Sequence, residues 1–147
     1  MPVKSARGFD YRWLRVQAIA CLVFGLDAKA GTVFDAMLRR WPDDAYALAS
    51  RAHLHGQHGA WDAAIADARA LVAAHPTRSA ADWFNLAYLL ESAGRPEDAE
   101  PAFRRAIELD DKLDRAWYGM GLALIRQGRH DEAVAALERN TKLQPMS

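Results

Sequence analysis

His53, His55 and His58 fall within six consecutive positions, the densest cluster of chemically capable side chains in the chain. His55 and His58 stand three residues apart, a spacing at which two imidazoles on a helix could reach one metal ion. No third ligand follows nearby, and the H-E-x-x-H pattern is absent. The repeat register described below turns His55 inward and His53 toward a different face, so packed or solvated histidines are expected and no metal site. The chain has one cysteine, Cys21, which excludes an internal disulfide and a cysteine metal site. It falls on an inward stripe with no His or Asp placed to activate it, so a buried structural thiol is expected. Asp110, Asp111 and Asp114 form an acidic link that could attract a divalent ion, although a solvated loop is the simpler reading. There is no phosphate-cradling glycine loop, and Gly119-Met120-Gly121 reads as a close-packing place inside a helix. Without a nucleophile–base pair or a cofactor motif, no catalytic residue, no cofactor and no enzymatic activity are expected.

The elements that carry these residues repeat. Trp117, Gly121, Gly128, Ala133 and Pro145 lie 34 residues after Trp83, Ala87, Gly94, Ala99 and Asp111. Another 35 residues back stand Leu48, Ala52, Gly59, Ala64 and Pro76. A period near 34 signals stacked helical hairpins rather than one enzyme-like core. Four units follow, over 11–44, 45–79, 80–113 and 114–147, in a single repeat domain spanning 1–147. Each has a first helix, a turn at Gly25, Gly59, Gly94 or Gly128, a second helix and a short link. A glycine past a helix end can take the left-handed conformation that stops it. Pro42, Pro76 and Pro145 are expected to close second helices, with Asp110-Asp111 in that place in the third unit. Pro96 suits a helix start, and Pro101 is expected to bend its helix slightly on the wet side.

Composition bounds the function. About half of the 147 residues are apolar, and nineteen basic residues balance nineteen acidic ones. Nucleic acid therefore has no overall electrostatic attraction to the chain. Residues 1–51 carry eight basic and five acidic side chains, and the remainder eleven and fourteen. No apolar run reaches the ~20 residues that span a bilayer. Arg12 and Arg15 ahead of the apolar run Val16–Leu26, with Ala28-Lys29-Ala30 after it, could be an export leader cleaved before Gly31. Gln17 within the run, Asp10 and Asp27 beside it, and the repeat register favour a folded first unit and a cytoplasmic protein.

These residues resemble the tetratricopeptide repeat, W-x2-L-G-x2-Y, then A-x3-F, then P. The last unit matches with Trp117, Met120, Gly121, Leu124, Ala133, Leu137 and Pro145, and the third with Trp83, Leu86, Ala87, Leu90, Ala99, Phe103 and Ala106. The second is weaker, with Leu48, Arg51, Ala52, His55, Ala64, Ala68, Leu71 and Pro76. The first is degenerate, with Leu14, Gln17, Ala18, Cys21, Ala30, Phe34, Met37 and Pro42. The resemblance implies an all-α, right-handed superhelical solenoid of about four helix-turn-helix units. In the second unit Arg51 replaces the usual leucine. It is expected to pair with Asp67 on the facing helix, the alternative being that it snorkels to water. In the last unit Asn140-Thr141 replaces the Ala106-Ile107 of the third, which reads as a polar outer face ending the stack. Val134 and Leu137 leave weak self-association through that edge open.

In this family the first helices line the concave face, and partner contacts come from fixed places on them. Carried over, these include Arg12, Arg15, Tyr46, His53, Phe84, Asn85, Tyr88, Arg115, Tyr118 and Arg126. Aromatics and arginine are the types enriched at binding hot spots. Such a groove suits a peptide segment of a partner protein with apolar anchors and an acidic or carboxylate flank. Asn85 and Arg115 fall at two of the five places of the family's carboxylate clamp. Ala49, His53 and Gly119 hold the other three, so no chaperone-tail receptor is expected. A non-enzymatic protein-interaction module follows. The alternative is a chaperone or assembly factor of a bacterial secretion, pilus or envelope system.

Overall fold

The computed structural model describes residues 8–144. Among them the chain forms eight α-helices: α1 (Phe9–Val23), α2 (Asp27–Arg40), α3 (Ala45–Gln57), α4 (Trp61–Ala74), α5 (Ala80–Ser92), α6 (Pro96–Leu109), α7 (Asp114–Arg126) and α8 (His130–Leu143). They pair as hairpins α1/α2, α3/α4, α5/α6 and α7/α8, each stacked on the next.

The punctuation follows from residue chemistry. Gly25, Gly59, Gly94 and Gly128 take φ of 68°, 71°, 76° and 76°. A Cβ in this left-handed region would clash with the backbone, so these positions hold the tight turn inside each hairpin open to glycine. Asp44 accepts a hydrogen bond from Ala47 N at 2.9 Å, and Ser79 from Ala81 N at 3.1 Å, capping α3 and α5. α2 ends at Arg40 and α4 at Ala74, two residues before Pro42 and Pro76. Pro145 lies outside the described residues. α6 ends without a proline; Asp110 is extended, and its carboxylate accepts from Lys112 N at 3.0 Å. Pro96 is the first residue of α6, and Pro101 sits on that helix's exposed side.

The repeated tryptophans do more than fill a stripe. Trp83 Nε1 donates to Pro76 O and Trp117 Nε1 to Asp111 O, both at 2.8 Å. Each indole pins the link between units to the helix that follows it, giving a link carbonyl outside the helices its hydrogen bond.

Small residues set the helix separation. Ala30, Ala64, Ala99 and Ala133 are no more than 1% exposed. Phe34 and Phe103, at 0% and 2%, lie four residues beyond Ala30 and Ala99 and fill the space beside them. Burying each ring contributes about 2–3 kcal/mol. Two cores result. One, around Phe34, Met37, Trp41, Leu48 and Leu71, joins α1 to α4; the other, around Leu86, Leu90, Phe103 and Leu124, joins α3 to α8. The apolar run proposed as a leader folds into α1 and the turn after it, and Ala30 is wholly buried in the first core. Cleavage before Gly31 would remove α1 and the first turn of α2.

Polar ties cross the hairpins. Arg51 meets Asp67 through two hydrogen bonds, at 2.8 and 2.7 Å, and reaches Asp35 at 2.8 Å. The expected pair is present, and snorkelling is not. Hydrogen bonding to Asp67 holds the guanidinium above its ordinary pKa against the opposing effect of burial. Glu100 accepts from Arg104 at 2.8 Å, Arg129 at 2.5 Å and Gln127 at 3.3 Å, joining α6 to the α7/α8 turn. Burial pulls its carboxyl upward. The hydrogen bonds from Arg104 and Gln127 and the charges of Arg129 and Arg104 outweigh that and leave it below its ordinary value.

Two expectations need correction. Asn140 is not on an outer face: it is 7% exposed, and its Nδ2 donates to Asp114 O at 2.8 Å. The helix period turns position 140 inward, as it does the fully buried Ala106, so the amide ties α8 to the start of α7. Cys21 lies on the inward side but is only half-buried; among the described residues, helices pack on α1 from one side alone.

Candidate partner-binding groove

The first helix of each hairpin presents a run of side chains to the same side of the stack. Along it, two arginine–aromatic stacks recur with their roles exchanged. The Arg15 guanidinium lies 4.4 Å from the Tyr46 ring centre, and that of Arg115 lies 5.2 Å from the Phe84 ring centre. Both join the fifth place of one unit to the second place of the next. In α3 and α5 the same two places hold Ala49 and Ala81. A cavity of about 220 Å³ opens between these helices with Ala49, but not Ala81, in its lining. Ala49, His53, Gly56, Gln57, Asn85 and Tyr88 line it, above a floor that includes Leu71 and Leu89. A shallower depression of about 300 Å³ shares Ala49, His53, Gln57 and Asn85 and continues to Leu22 of α1.

Ten residues were expected at this face, and the structure sorts them. His53, Asn85 and Tyr88 come together at the cavity, with Tyr88 58% exposed. Tyr46 and Phe84 are half-buried, their edges held by Phe34 and Phe103 at ring distances of 6.1 and 6.0 Å. They act as platforms for Arg15 and Arg115, a use of the aromatic face as a cation seat. Tyr118 is 51% exposed one unit further on. Arg12 is exposed at the α1 end of the run. Arg126 is not open in the same way: its Nη1 sits 2.9 Å from Glu91 Oε1. That contact lacks hydrogen-bond alignment, and neither buried Glu91 oxygen has a hydrogen-bond partner among the described residues.

The sequence reading missed Asp82, which is 5% exposed and borders the cavity. Arg78 holds it with two hydrogen bonds of 2.9 and 2.7 Å. The i, i+4 spacing of an arginine just before the helix and an aspartate in its first turn was the available signal.

The histidines point apart. His53 lines the cavity, His55 approaches Asp67 at 3.8 Å, and His58 meets Asp27 at 3.0 Å. Among the described residues no three His, Cys, Asp or Glu side chains gather closely enough to hold a metal ion. No helix among them is long and apolar enough to cross a membrane.

A stack of helical hairpins with a lined groove defines a class, the helical-repeat scaffold for protein–protein interaction. The tetratricopeptide repeat model matches residues 49–114 and again 84–145, and the chain belongs to that family. A crystal structure of MamA protein superposes with a TM-score of 0.85 at 22% identity, covering 90% of this chain and 72% of that one. A second MamA crystal structure gives 0.83 at 23%, covering 87% and 74%. MamA 41-end from Desulfovibrio magneticus RS-1 gives 0.79 at 23%, covering 88% and 73%. At such identity the likeness is one of fold. No curated protein matches the chain in sequence.

Proposed function

We propose that the chain holds a peptide segment of a partner protein in the groove of its first helices. The cavity between α3 and α5 would take the anchor side chain. The observation that carries this reading is that opening, lined by Ala49 at a place where the flanking units hold stacked arginine–aromatic pairs. Its volume suits one leucine- or phenylalanine-sized side chain, and its apolar floor rewards burial of one. Asn85, Gln57 and His53 offer hydrogen bonds to an extended backbone. Arg15 and Arg115 flank the opening, each stacked on an aromatic ring without an acidic partner among the described residues. Acidic groups on both sides of the anchor would complement them. Arg126 contributes less, because Glu91 already offsets its charge.

Affinity capture from native cell extract tests this, with bound proteins identified by mass spectrometry. Wild type is compared with a Tyr88→Ala, Arg115→Ala double variant and with Arg69→Ala, a change on the exposed side of α4. A protein held by wild type and Arg69→Ala, lost by the double variant and weakened by added salt, supports the groove. Equal retention by all three moves the contact to another face and favours an assembly role.

A further inference from the structure

Among the described residues, most of the exposed large apolar side chains lie on α1 and the turn after it. Of the fifteen residues of α1 only Ala18 is buried. Phe9, Trp13, Val16, Val23 and Phe24 are 80%, 54%, 57%, 74% and 76% exposed. At about 100° per residue these five fall with Ala20 on one strip, opposite the side on which Tyr11, Leu14 and Ala18 face the first core. No residue of the strip is charged. The other end of the stack differs in kind. On α8, Asp131, Glu132, Glu138, Arg139 and Lys142 are exposed, and Val134 is that helix's one large exposed apolar side chain among the described residues.

We propose that this strip is an interface between two copies of the chain, α1 packed antiparallel on α1 about a twofold axis crossing it near Val16 and Gln17. Three observations choose a second copy as the occupant. Covering the strip would remove from water five large apolar side chains and Ala20 on each copy, the kind of charge-poor face that dimers bury. Turned about that axis, the strip complements itself: Trp13 lies over the small Ala20 of the second copy, and Phe9 meets its Phe24. The absence of charge means that pairing the face with itself brings no like charges together. Stacking α1 on α8 would instead bury Phe9 and Val23 against charged side chains, so assembly closes at two and does not extend into a filament. Arg15 and Leu22 lie away from the strip, while Arg12 borders it.

Sedimentation equilibrium over a wide concentration range tests the proposal, with Trp13→Glu, Val16→Lys and Val134→Lys beside wild type. The expected result is a dimer for wild type and Val134→Lys and a monomer for the two α1 variants, with helical circular dichroism unchanged. Val16→Cys is expected to form an intermolecular disulfide under mild oxidation, far faster than wild type through Cys21. A wild-type monomer at every concentration overturns the proposal. So does growth beyond two copies, or a dimer lost only in Val134→Lys. Should an α1 variant lose helicity, the Val16→Cys cross-link decides alone, and its absence is a refutation.

Discussion

At the scale of single residues, the best-defined feature is the charge pair that replaces an apolar contact in the second unit. Asp67 is 8% exposed at its side chain and Arg51 24%, so both charges have left most of their water. Removing one partner of such a pair is costly because the other remains buried and uncompensated. Asp67→Ala is expected to lower unfolding free energy by about 3 kcal/mol. Asp35 softens the loss only partly, being an exposed partner. Replacing both, as Arg51→Met with Asp67→Leu, is expected to recover most of it, since well-packed apolar groups often match a buried ion pair. Denaturant titration of wild type, Asp67→Ala and the double variant measures both effects. A cost below ~1 kcal/mol for Asp67→Ala would mean that the pair behaves as a solvated one. The pair was legible in the sequence because one residue broke the repeat and a carboxylate stood at a facing position. The inward turn of Asn140 was not, because its polarity suggested water while the helix period placed it inside.

At the scale of elements, hairpins meet where side chains are missing. A Cβ on Gly119 would fall 2.4 Å from Phe103 Cε1 and 2.5 Å from its Cζ. The Phe103 ring is buried and cannot swing away. In an exposed helix, glycine to alanine gains up to ~1 kcal/mol. Here Gly119→Ala is expected to cost about 1–2 kcal/mol net, because overpacking outweighs propensity. A second change, Phe103→Leu, should return part of that loss by making room, so the two changes together cost less than the sum of their separate effects. Thermal unfolding of the single and double variants measures this. Additive losses would show that Gly119 is not set by Phe103. The sequence marked Gly119 as a close-packing place; which ring lies against it followed only from how α6 and α7 cross.

At the scale of the whole molecule, the stack is a one-dimensional array in which each hairpin is held by its neighbours. The middle hairpins are covered on both sides, and α1 on one. Native-state hydrogen exchange should therefore find the amides of α1 least protected and those of α5 and α6 most protected. Protection of α1 should rise with protein concentration if the strip of Phe9 to Phe24 is covered by a second copy. Uniform protection along the chain would mean that the array unfolds as one cooperative unit, against this reading.

The periodic residues by themselves determined the helices, their turns and their stacking, because helix period, glycine turns and small residues at crossings are local demands that recur every 34 or 35 positions. The same register marked the face on which groove residues would lie. Only the tertiary structure decided which of them act together. Arg15 and Arg115 stack on aromatics, Arg126 meets Glu91, and the cavity opens beside Ala49, because the arrangement depends on what the neighbouring unit places opposite. The bare strip on α1 was equally hidden. An apolar residue's spacing shows which side of a helix it occupies, but only the packed molecule shows whether another helix covers that side.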